Sequence, residues 1–150
     1  MALSIEPTQE KHLADIWRIE QLAHTHPWQK SMIDDLNSRC ACHHVMLFDE
    51  QVVGYYYAQN VVGEVTLLNI AIDPTQQGKG YGKTLLEALI ENAEENEAES
   101  IWLEVRASNT KAHSLYLSQG FNEVDRRKNY YPSEGGREDA IVMSCTLKLC

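Results

Sequence analysis

One segment, from Leu67 to Ile90, constrains the fold of this chain more than any other. It begins with a nearly continuous apolar run, Leu67 to Ile72, closed by Asp73-Pro74 as a buried strand would be. Glycine follows at positions 78, 80 and 82, and from Thr84 the apolar residues recur with a helical period. Alternate glycines let the backbone turn sharply beside a ligand, and the first N–H groups of a helix lack intrahelical partners. The segment therefore predicts a strand, a loop and a helix start that together bind a phosphate group.

The spacing of these glycines argues against two common phosphate-binding loops. A P-loop requires glycine five positions before its Gly-Lys-Thr, and Gln77 occupies that position ahead of Gly82. A dinucleotide-binding loop requires its third glycine three positions after the second, whereas Gly82 follows Gly80 by two. The pattern Gln77-x-x-Gly80-x-Gly82, after a strand that ends in Asp-Pro, instead resembles the pyrophosphate loop of the GNAT family of acetyl-CoA-dependent N-acetyltransferases.

A second stretch that resembles this family runs from Trp102 to Phe121 and reads WLEVRASNTKAHSLYLSQGF. The resemblance implies that the strand after the glycine-loop helix carries the catalytic base, here Glu104. It also implies that the next helix brings Asn109 to the cofactor and Tyr116, a catalytic acid, to its sulfur. Without the resemblance, Glu104 would be a surface strand residue paired with Arg106, and Tyr116 an amphipathic core residue. Their combination with the glycine loop favours the functional interpretation.

The resemblance further implies a fold and a cofactor-binding surface. We expect one GNAT domain over residues 1–150, an α/β (α+β) fold with a mixed, mostly antiparallel central sheet and helices on both faces. The irregular order of helical and strand patterns also predicts a mixed sheet. The implied co-substrate is acetyl-CoA, whose carbonyl a backbone N–H near Ile72 would polarise, and no metal is expected. The residues expected to bind acetyl-CoA are Ile70, Ala71, Ile72, Gln77, Gly78, Lys79, Gly80, Tyr81, Gly82, Lys83 and Asn109.

Local patterns predict the remaining elements. Thr8 is expected to cap a first helix that His24 to Trp28 interrupts, with His24 and His26 in a solvated loop without a catalytic role. Three successive tyrosines, 55 to 57, are expected to cover the two faces of a sheet. A short helix is expected at 29–36, with Met32, Ile33 and Leu36 inward, and a second helix from Asn109 to Gly120. A loop is expected at 133–137. Strands are expected at 43–48, 52–60, 64–73, 100–106 and 140–149.

Length and charge limit the possible classes of function. At 150 residues with 43% hydrophobic content, the chain is expected to be one soluble domain. Its N-terminal sequence does not have the pattern of a secretory signal, and no apolar stretch approaches membrane-spanning length, so we expect a cytoplasmic protein without a membrane partner. The formal net charge of −9 argues against nucleic-acid binding and favours a cationic substrate or a basic protein partner.

The four cysteines are expected to be free thiols, as is usual in a reducing compartment. They are Cys40, Cys42, Cys145 and Cys150. The sequence Cys40-x-Cys42-His43-His44 has a one-residue gap that does not match zinc-binding spacing, and no second ligand pair follows it. None of the four lies in a motif that would make it a nucleophile.

The acceptor is predicted from three further segments. HTHPW, RRKNYYP and GREDAIVM resemble the bacterial GNAT enzymes that acetylate the N-terminal alanine of a ribosomal protein. An α-amino group has an ordinary pKa of about 7.7–8.0, against about 10.4 for lysine, so roughly two orders of magnitude more of it is the free base at neutral pH. The resemblance therefore implies a protein N-terminus, of a small-subunit ribosomal protein, as the partner. The residues expected to line its groove are Trp28, Tyr130 and Tyr131.

Two alternative functions stay open at this point. One is a GNAT enzyme that acetylates a small amine or a lysine side chain. The other is a non-catalytic module that binds acyl-CoA or a nucleotide. The presence of Glu104 and Tyr116 argues against the second, and Gln77 argues against its P-loop version.

Overall fold

The computed structural model describes residues 2–147, which form a seven-stranded sheet covered by four helices. The strands are β1 (Leu3–Pro7), β2 (His44–Phe48), β3 (Gln51–Val61), β4 (Glu64–Ile72), β5 (Ser100–Arg106), β6 (Asn122–Ser133) and β7 (Gly136–Thr146). The helices are α1 (Leu13–Ala23), α2 (Lys30–Asp34), α3 (Tyr81–Glu95) and α4 (Thr110–Ser118), with 3₁₀ turns at Glu10–His12 and Pro74–Gln76.

The strands lie in the order β1-β2-β3-β4-β5-β7-β6. Every neighbouring pair is antiparallel except β4 and β5, which are parallel because α3 crosses from the end of one to the start of the other. The expected mixed, mostly antiparallel sheet is therefore confirmed.

Helices pack on both faces of the sheet, and each face has its own core. On one face, α1 and α2 place Ile16, Ile19 and Ile33 against Tyr55 and Tyr57. On the other face, α3 and α4 pack against a larger apolar cluster that contains Tyr56. The consecutive tyrosines thus cover both faces, as predicted. Within the described residues, no helix is long and apolar enough to cross a membrane.

A wedge opens in the middle of the sheet between β4 and β5. These strands pair at only three positions, from Glu64 with Ser100 to Thr66 with Trp102. Beyond Thr66 and Trp102 the two strands have no further paired residues, although each stays paired to its other neighbour. The wedge leaves one backbone edge of each strand available to a ligand.

A bulge in β4 lies at the start of this wedge. Tyr57 pairs with Asn69, whereas the next residue, Ala58, pairs with Leu67, so Leu68 is an extra residue without a partner on β3. The bulge inverts the alternation of side chains along β4. Leu67 packs on the α3 face, while Ala71 packs on the α1 face.

Several predicted elements differ from the structure at their ends. The first helix begins at Leu13 after a 3₁₀ turn rather than near Thr8, and Met32 of α2 is 46% exposed rather than inward. The expected loop at 133–137 shortens to a tight turn around Gly135, so β7 begins at Gly136; the predicted end of that strand, at 148–149, lies outside the described residues. Cys40, Cys42 and Cys145 are free thiols, as predicted, and Cys150 also lies outside the described residues.

Candidate active site

The glycine loop and the start of α3 form a cradle, residues 78–83, with exposed backbone N–H groups. Gly80 is the residue before the helix and has a left-handed backbone, φ +79°, and Gly78 has φ +84°. The first intrahelical bond is donated by Thr84 to the carbonyl of Gly80, so the N–H groups of the preceding three residues have no intrahelical acceptor. The first turn of α3 contains no acidic side chain. The cradle is therefore suited to an anion.

An ion pair fixes the entry to this cradle. Asp73, at the end of β4, accepts hydrogen bonds from the backbone N–H and the hydroxyl of Thr75, at 2.9 and 2.8 Å, and pairs with Arg18 of α1 at 3.2 Å. Burial by itself would raise the pKa of Asp73, but the hydrogen bonds from Thr75 and the charge of Arg18 outweigh it, and the pKa is lowered. The carboxylate therefore stays charged and holds the turn that leads into the glycine loop.

A cavity of about 380 Å³, here called the cradle cavity, runs from the cradle along β4 to α4. Lys79 does not line it, and its Nζ donates instead to the side chain of Gln76 at 2.8 Å. Asn109 reaches it from the N-cap of α4, where its side chain accepts a hydrogen bond from the N–H of Ala112. The residues predicted to bind acetyl-CoA that line the cavity are Ile70, Ala71, Ile72, Gln77, Gly78, Gly80, Tyr81, Gly82, Lys83 and Asn109.

The hydrogen bonding of β4 shows which of its backbone groups face the wedge. The N–H of Asp73 donates to the carbonyl of Val53 on β3, at 2.8 Å. Successive residues of a strand direct their N–H groups to opposite edges. The N–H groups of Ile72 and Ile70 therefore point away from β3 and into the wedge, where they are available to a carbonyl group.

A second cavity of about 190 Å³, here called the wedge cavity, lies between the diverging strands. Glu104 of β5 and Tyr131 of β6 line it, as does Trp28, which packs edge-on against Tyr57 with ring centroids 5.5 Å apart. Tyr130, also predicted to contact the acceptor, does not line this cavity and is 44% exposed. The structure therefore brings Trp28, Glu104 and Tyr131 together and places Tyr130 outside.

The two cavities meet at Tyr116. In the described part of the chain, three residues line both of them: His24, Ile70 and Tyr116. Burial, with a smaller contribution from Tyr131, raises the pKa of Tyr116 to about 12. The phenol is consequently protonated at neutral pH and can donate a proton at the junction of the cavities.

Glu104 is paired with a residue that the sequence did not indicate. Its carboxylate lies 3.1 Å from Nε of Arg127, and the alternative prediction of a pair with Arg106 is wrong. Arg106 instead pairs with Glu138 at 3.3 Å and lies over the ring of Tyr131, 4.4 Å from its centroid. Arg106 lines the wedge cavity, whereas the side chain of Arg127 is 55% exposed.

A buried polar network, missed in the sequence, borders both cavities. His24 is not a solvated loop residue: its Nε2 lies 2.9 Å from Oδ1 of Asn69. The amide of Asn69 donates in turn to Glu20, which is 1% exposed. The available signal was the position of Glu20, four residues after Ile16 on the apolar stripe of α1, with His24 four residues further.

The Cys40 to His44 segment lies away from this site. It lines a separate cavity with the end of α3, and His43 accepts a hydrogen bond from the N–H of Ala58. Among residues 2–147, no three His, Cys, Asp or Glu side chains come together as a metal site.

A sheet that opens between two parallel strands beside a glycine-capped helix defines an acetyltransferase of the GNAT class. The sequence profile of the Acetyltransferase (GNAT) family matches residues 13–121, and the chain belongs to this family. It is 46% identical over 133 residues to the [Ribosomal protein bS18]-alanine N-acetyltransferase of Haemophilus influenzae, covering 88% of this chain and 90% of that protein.

Solved structures agree with this assignment. The crystal structure of the ribosomal-protein-S18-alanine N-acetyltransferase from Escherichia coli superimposes with a TM-score of 0.94 at 38% identity, covering 99% of this chain and 96% of that chain. A GNAT family acetyltransferase from Elizabethkingia anophelis, solved with acetyl-CoA bound, shares the fold with a TM-score of 0.80 at 24% identity, covering 97% of this chain and 98% of that chain.

Proposed function

We propose that this protein transfers the acetyl group of acetyl-CoA to the N-terminal alanine of ribosomal protein bS18. The observation that carries the proposal is the meeting of two cavities at Tyr116, one lined by the anion cradle and one by Glu104. A two-substrate transfer needs such a junction, because the donor and the acceptor must reach one point from different sides. The acceptor is proposed from the names of the relatives, and the site of action would be the cytoplasm, where ribosomal proteins are made.

The backbone of the cradle cavity supports acetyl-CoA as the acetyl donor. Left-handed Gly78 and Gly80 have open space where a Cβ would stand, and the free N–H groups at the start of α3 would bind the pyrophosphate. The N–H groups of Ile70 and Ile72 would hold the pantetheine and acetyl oxygens along the wedge. Acetyl-CoA supplies an activated thioester, and the chain supplies its placement.

Two side chains would then move protons at the junction. Glu104 would accept a proton from the amine as its nitrogen attacks the acetyl carbon, directly or through water. Tyr116 would donate its phenolic proton to the sulfur as the carbon–sulfur bond breaks. We propose direct transfer, which is supported by the three cysteines of the described residues, Cys40, Cys42 and Cys145, since they line neither cavity.

The test is acetylation of the peptide that begins with the N-terminal alanine of bS18. We expect acetylation of the free N-terminus, none when that end is blocked, and little at an internal lysine of the same peptide. Equal modification of the lysine would support a lysine acetyltransferase instead. Binding of acetyl-CoA without turnover on any amine would support the non-catalytic module, and thermal stabilisation by ATP but not by CoA would reject the acetyl-CoA site.

A further inference from the structure

The network at the end of α1 is centred on a buried carboxyl group, that of Glu20. Glu20 accepts hydrogen bonds from the hydroxyl of Tyr55 at 2.6 Å, the side-chain amide of Asn69 at 2.7 Å and the backbone N–H of Trp28 at 2.8 Å. All three partners are donors, so Glu20 is the acceptor at the centre of this network. Among the described residues, the only side chain able to carry positive charge within 4.0 Å is His24, whose Nε2 lies 3.6 Å from Oε1.

Asn69 fixes which nitrogen of His24 carries the proton. Because the amide nitrogen of Asn69 donates to Glu20, its oxygen Oδ1 is the atom that faces His24. An oxygen can only accept, so Nε2 of His24 must be the N–H donor of the 2.9 Å bond. In the neutral imidazole the other nitrogen, Nδ1, is then an unprotonated acceptor.

His24 lies at the junction of the two cavities, where the proposed acetyl donor and acceptor would meet. It lines both the cradle cavity and the wedge cavity, and within residues 2–147 this is shared only by Ile70 and Tyr116. It lies at the C-terminus of α1, whose dipole favours positive charge. The titratable and charged groups that share the wedge cavity with His24 are Glu20 from its own helix, His26 from the following loop, Glu104 and Arg106 from β5, Tyr116 from α4 and Tyr131 from β6.

The proposed reaction needs two proton acceptors. A protein N-terminus is mainly an ammonium group at neutral pH, and it must lose two protons to become an amide nitrogen. Tyr116 gives its own proton to the sulfur and later recovers one from solvent. The two protons lost by the amine pass to acceptors on the protein and then to solvent, so the reaction releases one net proton. Glu104 can accept the proton lost as the carbon–nitrogen bond forms, but the first proton must leave before the nitrogen can attack.

We propose that His24 accepts this first proton at Nδ1 and so converts the bound α-ammonium into the nucleophilic amine. Nδ1 of His24 gains the proton and the nitrogen of the substrate keeps the electron pair. The imidazolium that forms is stabilised by Glu20 and by the end of α1. Glu20 and Asn69 are positioning residues that set its tautomer. This inference rests on the proposed function, since it assumes an α-amine acceptor.

The central test is the pH profile of His24→Gln. The amide of Gln can still donate to Asn69 but cannot accept a proton. Roughly one α-amine in twenty is already the free base near pH 6.5, so we expect kcat/KM on the alanine peptide to fall about tenfold there. It should recover to within about twofold near pH 9.5, where the amine deprotonates in solution. His113→Gln is the matched control, because His113 pairs with Glu123 at 3.1 Å and lines neither cavity. A His24→Gln profile parallel to that of the wild type would overturn the proposal.

Two further measurements separate this role from a structural one. Glu20→Gln should give the same loss near pH 6.5, and the double variant should be no slower than either single variant, because the residues act as one unit. Additive losses would contradict this coupling and the role inferred from it. Nitrogen NMR of the protein with bound CoA, with the His24 signal assigned by its absence in His24→Gln, should show Nε2 protonated and Nδ1 bare; the opposite tautomer would reject the proposal. If the wild type does not acetylate the peptide, the proposed function itself fails.

Discussion

Arg127 of β6 reaches across β7 to Glu104 of β5 and places its Nε 3.1 Å from Oε2 of the carboxylate. The pair occupies one carboxylate oxygen. The other, Oε1, has no ion pair or hydrogen bond within the described residues, and Glu104 lines the wedge cavity. One oxygen is therefore held in place while the other remains able to accept a proton.

Glu104→Gln should reduce turnover without unfolding the protein. Gln keeps an oxygen for Arg127 but cannot act as a base, so we expect kcat to fall about 10²–10⁴-fold. Because the proton lost during attack must be accepted at any pH, this loss should persist at about pH 9. Glu123→Gln is a control on the neighbouring part of the sheet, since Glu123 pairs with His113 outside both cavities. Recovery of the Glu104 variant at high pH would contradict this assignment.

Tyr116→Phe should distinguish the proton-donating role of the Tyr116 hydroxyl from the packing role of its ring. The ring packs against Phe121 with centroids 5.9 Å apart, a contact that Phe preserves. Because the raised pKa, about 12, keeps the phenol protonated, its loss removes a proton donor, and we expect turnover to fall about 10²–10⁴-fold with acetyl-CoA binding unchanged. Steady-state kinetics measure the loss of turnover, and isothermal titration with CoA tests whether cofactor binding is unchanged. A fully active variant would show that another group protonates the sulfur.

Gly78 of the glycine loop can be compared with Gly135, a glycine outside the loop that has the same backbone φ angle. Gly78 and Gly135 both have φ +84°, and neither has an atom within 4 Å of the position of a Cβ. Alanine at either should cost about 1–2 kcal/mol of folding free energy, because both must hold a left-handed conformation. Only Gly78→Ala should weaken CoA binding, by about tenfold or more, because Gly135 lies in the β6–β7 turn. Equal CoA affinity of the two variants would show that the loop does not contact the cofactor.

Buried tyrosines predict a loss of stability in alkali. Burial raises the pKa values of Tyr55, Tyr56, Tyr57 and Tyr116. The unfolded chain releases these protons near pH 10, about where tyrosine normally ionises, whereas the folded protein retains them. The free energy of unfolding should therefore be unaffected by these groups below about pH 10 and fall as the pH rises further. Denaturant unfolding at about pH 9 and pH 11 measures the difference.

Tyr56→Phe tests that explanation. The hydroxyl of Tyr56 is buried and has no hydrogen-bond partner among the described residues. Its removal should leave stability at neutral pH unchanged or higher, because no bond is lost, and should reduce the alkaline loss. If the free energy of unfolding of Tyr56→Phe fell as steeply above about pH 10 as that of the wild type, the other buried tyrosines would be responsible for the loss.

Elements with a strong local pattern were predicted well. The strand from Ser100 to Arg106 has the predicted ends, because its apolar and polar residues alternate strictly. Asn109 and the glycine loop were located for the same kind of reason, since capping and left-handed turns are encoded within a few residues. The strand at Leu3–Pro7 was missed, because it is short and its pairing with β2 comes from residues about forty positions later.

Contacts between distant segments could not be predicted. Arg106 is two residues from Glu104 on the same strand face, yet the charge that meets Glu104 comes from β6. His24 was expected in solvent because its partner, Asn69, lies 45 residues away. The position of each depends on how three or more elements pack, and the local sequence does not contain that information.

The bulge at Leu68 has a consequence for how this enzyme fold tolerates change. Residues in a strand alternate between faces, so one extra residue reverses the facing of every residue after it. Deleting Leu68 would turn Asn69 and Ala71 towards α3 and direct Ile70 and Ile72 towards α1. Both substrate sites would lose their walls at once, although the deletion itself removes only Leu68, one of the residues that line the wedge cavity. The single extra residue of the bulge therefore determines which side chains of β4 face the active site. An alignment of related chains that omits or misplaces this residue will assign the following residues of β4 to the wrong face of the sheet.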